Sequence, residues 1–97
     1  MTKLADLTHL QRQALLAAHA SPTKTLVRRR DGFCPQGVAM AQEVAFTARL
    51  VRMMWRDFLL TLDDDQFPHA ARLTLKGAAL AQLLQIQIER RAQAGAA

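Results

Sequence analysis

Apolar positions recur three and four apart over residues 8–20. Leu10, Ala14, Leu15 and Ala18, with Leu7 just ahead of them, share one face of a helix. Thr8 and Gln11 stand at capping-box spacing, where each side chain can satisfy the other residue's free amide. Ser21-Pro22 ends the helix, because proline cannot donate the bond that would continue it. The pattern then changes. Thr25-Leu26-Val27 and Phe33-Cys34-Pro35 flank an Asp31-Gly32 pair, a combination that predicts a short hairpin with Arg28, Arg29 and Arg30 near its tip. Pro35 and Gly37 punctuate its end, and residues 38–45 fit a short helix.

Residues 46–58 return to helical spacing. With Thr47 as N-cap, Arg49, Arg52 and Arg56 fall on one face and Leu50, Val51, Met54 and Phe58 on the other. Residues 58–62 then read as a strand, 63–66 as a turn and 67–73 as a returning strand in which Pro68 weakens pairing. Together they form a second, wing-like hairpin. Thr74 caps a long helix over residues 75–93. Leu80, Leu84 and Ile88 lie on one side of it, and Leu75, Ala79, Leu83 and Ile86 on another. That arc is wider than one small core needs, so the surplus predicts a homodimer through the 75–93 helix. The expectation is one α+β domain, mostly helical, over residues 1–97, with 1–7 and 92–97 as frayed ends.

The order of helix, hairpin, short helix, basic helix, hairpin and terminal helix resembles a winged helix-turn-helix. Thr47-Ala48-Arg49-Leu50-Val51-Arg52 ahead of Phe58-Leu59-Leu60 is similar to a recognition helix leading into the first wing strand. Arg72-Leu73-Thr74-Leu75-Lys76-Gly77 resembles the segment where MarR-type regulators leave the wing, with a Leu-Thr pair capping the helix and a Gly that lets it approach the sheet. The resemblance rests mainly on residues 46–80 and implies a DNA-binding regulator. Two positions depart from it. Phe58 stands where such helices end in Gly, so the chain turn is expected to be made otherwise. The wing turn is Asp63-Asp64-Asp65, which phosphates would repel.

Charge sharpens this picture. The formal net charge is +5, which favours a polyanionic partner. The excess sits in the first sixty residues, which hold nine Lys and Arg against four acids, while the remainder holds four of each. Double-stranded DNA is therefore the expected partner. The expected contacts are Arg49, Arg52 and Arg56 in the major groove, Thr47 near a phosphate, and Lys24, Arg28, Arg29 and Arg30 on the backbone. The bland readings are a solvated helix face for the arginine strip and an edge strand guarded by charge for the arginine triplet.

An alternative comes from another class: a winged-helix interaction module, similar in style to phage- or mobile-element-encoded anti-CRISPR inhibitors, that binds a host protein complex. In that reading Asp63, Asp64, Asp65 and Met53 meet the partner. Catalysis, a metal and a cofactor are not expected. His9, His19 and His69 show no ligand spacing with one another or with Cys34, and no phosphate loop or nucleophile elbow is present. Cys34, alone beside a proline, reads as a small buried hydrophobe. With no disulfide pair, no apolar leader and no spanning run, the expected compartment is the cytoplasm.

Overall fold

The Thr8 hydroxyl accepts from the Gln11 amide at 3.2 Å, and the Gln11 side-chain carbonyl accepts from the Thr8 amide at 2.9 Å. This reciprocal cap starts α1 (His9–Ala20) in the computed structural model, which describes residues 6–30, 32–37 and 45–95. Ala14, Leu15 and Ala18 are buried, and so is Leu7, in a stretch expected to fray. Leu10 is 56% exposed, contrary to the predicted face. Gln11, folded back into the cap, takes the buried angle instead. Past Ser21 the chain turns through Lys24, which has a left-handed backbone (φ 55°).

Four strands follow the predicted pattern in shortened form: β1 (Thr25–Arg29), β2 (Gly32–Pro35), β3 (Leu60–Leu62) and β4 (Ala70–Leu73). They form one antiparallel sheet in the order β2-β1-β4-β3. The two hairpins are the ones the sequence predicts. Their union through β1 and β4, with Leu26 opposite Ala71, is a pairing between distant segments that local pattern does not encode. Leu26, Phe33, Leu60, Ala71 and Leu73 turn inward onto α1, α2 and α3, closing a core with Leu15, Val51, Met54, Ala81 and Leu84.

Between the hairpins lies α2 (Ala48–Arg56), whose Leu50 amide donates to the Thr47 hydroxyl at 3.1 Å as the N-cap reading expects. The short helix expected at 38–45 falls, but for Ala45, outside the described residues, as does Asp31 of the first turn.

Helix α2 ends in a Schellman motif. The Phe58 amide donates to the Trp55 carbonyl at 3.0 Å and the Leu59 amide to the Met54 carbonyl at 2.9 Å. The residue that must turn left-handed there is Phe58 itself, at φ 61°. The expectation that another device makes this turn is thus corrected. So is the placement of Phe58 on the buried face: it has left the helix, and its side chain is 73% exposed. Leu59 follows and is fully buried with Met54.

The last helix, α3 (Leu75–Gly95), starts where the Gly77 amide donates to the Thr74 hydroxyl at 3.0 Å. A side chain at residue 77 is impossible without backbone movement, since a Cβ there would lie 2.1 Å from the Leu59 carbonyl oxygen. The glycine is what lets α3 cross the start of β3 at backbone distance, as its place in the sequence suggested. The helix continues through residues 92–95, which were expected to fray.

Candidate nucleic-acid interface

The sheet register brings both hairpin turns to one end. Val27 lies opposite Ala70, and beyond that pair the Arg28 amide donates to the His69 carbonyl at 2.7 Å. The Arg28, Arg29, Arg30 tip therefore stands beside the 63–69 turn. Phe33 and Phe46 form a two-bond bridge, with amide-to-carbonyl distances of 2.8 and 2.9 Å. Gly32 makes that approach possible, because a Cβ there would sit 2.6 Å from the Phe46 carbonyl oxygen. Since Phe46 precedes the Thr47 cap, the N-terminal turn of α2 sits at the same end of the sheet. The tip of the first hairpin and the N-terminal turn of α2 thus present Arg28, Arg29, Arg30, Thr47 and Arg49 at one end of the sheet, all exposed.

The arginine strip of α2 does not act as one set. Arg49 and Arg56 are exposed, with Met53 between them at 44% exposure. Arg52 turns aside, its guanidinium donating to the backbone carbonyls of Asp65 and Gln66 at 2.9 and 3.0 Å. It ties α2 to the turn between β3 and β4. Lys24 is also engaged: its Nζ donates to the His19 carbonyl at 2.6 Å, closing the C-terminal turn of α1.

The acidic turn has an internal explanation. Oδ1 of Asp63 accepts from the His69 and Ala70 amides at 2.9 and 3.1 Å. Oδ1 of Asp64 accepts from the Gln66 and Phe67 amides at 2.8 and 3.3 Å. Short polar side chains that cap their own turn are common where the chain must reverse without a glycine. The two donated bonds hold the Asp63 carboxyl below its ordinary range. The Asp65 side chain is exposed.

Sequence reasoning missed four residues. Arg72 lies on the outer face of the sheet between Thr25 and Thr61, a placement visible only once β1 joins β4. Phe67 is exposed in the turn beside the Arg52 contact. Trp55 lines a cleft with Phe58, and the one signal for either was the missing glycine at residue 58. Cys34 is buried as expected. Among the described residues no group of His, Cys, Asp or Glu side chains could hold a metal ion, and no helix is long and apolar enough to cross a membrane. Comparison with known proteins finds no matching family model, no matching curated protein and no matching solved structure.

Proposed function

We propose that the chain is a winged-helix DNA-binding protein that acts as a dimeric transcriptional regulator in the cytoplasm. The observation that carries this reading is the clustering of Arg28, Arg29, Arg30 and Arg49 at one end of the sheet, beside the N-terminus of α2. Guanidinium forks beside the Thr47-capped N-terminus of α2 are suited to phosphates, and Arg49, Met53 and Arg56 form an exposed row suited to base edges. The addition of β1 to the β3–β4 hairpin supports the winged architecture. Asp63 and Asp64 each commit one carboxylate oxygen, Oδ1, to backbone amides of their own turn, which gives these acids a structural role there. For the same reason the alternative, in which these acids are a partner-binding surface of an inhibitor, finds less support.

Contact with about five phosphates predicts that log affinity for duplex DNA falls against log salt with a slope of about −4 to −5. Arg28→Glu combined with Arg49→Glu should remove this binding while the fold, read by circular dichroism, stays intact. Duplex binding that ignores salt, or none at low salt, would sink the proposal.

A further inference from the structure

Phe58 combines two features that rarely coincide. A bulky side chain is strained in the left-handed region, and here its ring gains little burial in return. The ring stands at the mouth of a cleft of about 360 Å³ with Trp55 and Arg56 on its walls. The hydroxyl of Thr74, also in the wall, is committed to the Phe58 carbonyl and the Gly77 amide. Thr61 is shared with a second groove on the outer face of the sheet, which holds Thr25 and Arg72. The cleft and the groove meet at Thr61, so the trough they form has Arg56 in one half and Arg72 in the other, with an aromatic ring at one end. The acid at its far edge, Asp63, has its Oδ1 on backbone amides.

A flat aromatic face beside a cationic fork is the chemistry that holds a base and its phosphate, and it is indifferent to base identity because every base has a π-face. We propose that this trough binds single-stranded nucleic acid. An unpaired base stacks on Phe58 beside Trp55, its phosphate meets Arg56, and the strand continues past Thr61 toward Arg72. A duplex keeps its bases stacked on one another and cannot use the ring in this way. An acidic peptide would satisfy the two arginines but leave the ring without a flat partner. Arg56 is common to this trough and to the row proposed for duplex DNA, but Phe58 and Arg72 belong only to the trough, and Arg28 and Arg49 only to the cluster at the N-terminal end of α2, so variants at those positions separate the two readings.

The chain has one tryptophan, and it lines the cleft, so its fluorescence reports occupancy directly. Titration of the full chain with short oligothymidylate should quench Trp55 emission to saturation, and oligouridylate should do the same. Phe58→Gly keeps the left-handed backbone and removes only the ring. It should weaken single-strand affinity by about tenfold or more, with unchanged circular dichroism and unchanged duplex binding. Arg28→Glu with Arg49→Glu should leave the quench in place. Three results would overturn the inference: Trp55 emission that does not respond to either oligonucleotide, equal quenching by polyglutamate, or a Phe58→Gly chain that binds as the parent does.

Discussion

Arg52 on α2 donates through Nη1 to the backbone carbonyl of Asp65 at 2.9 Å, and its second nitrogen reaches the neighbouring Gln66 carbonyl. A residue that reads in sequence as part of a DNA-facing strip is thus a fork that fixes the second hairpin to the helix. A charged donor to two carbonyls is worth more than a neutral bond, but solvent reduces the gain at this half-exposed position to about 1 kcal/mol. Arg52→Ala should cost that amount in chemical unfolding. It should also speed amide exchange in the 63–69 turn while leaving β1 and β2 unaffected. Arg52→Lys should behave like Arg52→Ala, because an ammonium cannot span both carbonyls. Unchanged exchange in the turn would show that the fork holds nothing.

Phe58 yields a stability prediction of unusual sign. A left-handed non-glycine residue costs roughly 1 to 2 kcal/mol, and replacing it by glycine returns part of that to greater freedom in the unfolded chain. Phe58→Gly should therefore stabilise the fold by about 0.5 to 1 kcal/mol, since little buried area is lost. Phe58→Val should destabilise it, because a β-branched side chain fits that region worse still. The ordering Gly above Phe above Val in urea midpoint is the measurement. Any other order means that the Schellman turn is not what residue 58 serves.

Local chemistry made much of this fold legible. The Thr8–Gln11 box, the Thr47 and Thr74 caps, both hairpins and the glycine needed at residue 77 follow from residue types at fixed spacing. What stayed hidden depends on distant segments meeting. Nothing near Val27 announces Ala70 as its partner, yet that pairing places the arginine triplet beside the second turn. The same limit hid the division of the arginine strip, since helical periodicity puts Arg52 with Arg49 and Arg56 and only the position of the turn draws it away. Leu10 was misplaced for a smaller reason: Gln11 counts as polar until its side chain is seen folded into a cap.

The turn should be acid-sensitive in one direction. Asp63 has its carboxyl held below the ordinary value of 3.8 by the Ala70 and His69 amides. A group whose folded value is depressed lends stability above its unfolded value and loses that contribution as pH falls through the folded one. Stability should thus be level in this respect above about pH 4 and decline below it. Asp63→Asn should remove the acid-dependent part while lowering stability at neutral pH. Thermal unfolding of both chains across the acid range checks this. Parallel curves would rule Asp63 out as a source of the acid response.

The outer stripe of α3 bears on assembly. Leu75 is 92% exposed, Leu83 48% and Ile86 37%, and Ala79 lies among them. The stripe spans roughly 16 Å of helix. It is nearly symmetric about its middle, so an antiparallel second copy would set Leu75 against the partner's Ile86 and Ala79 against the partner's Leu83. Large against large at the ends and small against large near the centre is a self-complementary arrangement of the kind a two-fold dimer requires. Leu83→Glu should place a charge at that centre and convert the dimer to monomer, read as a halved mass by sedimentation equilibrium. Gln85→Glu, an equal charge change at another exposed position of the helix, should leave the mass unaltered. A wild-type chain that sediments as a monomer at high micromolar concentration would remove the dimer from the proposal, and with it the expectation of a palindromic DNA site.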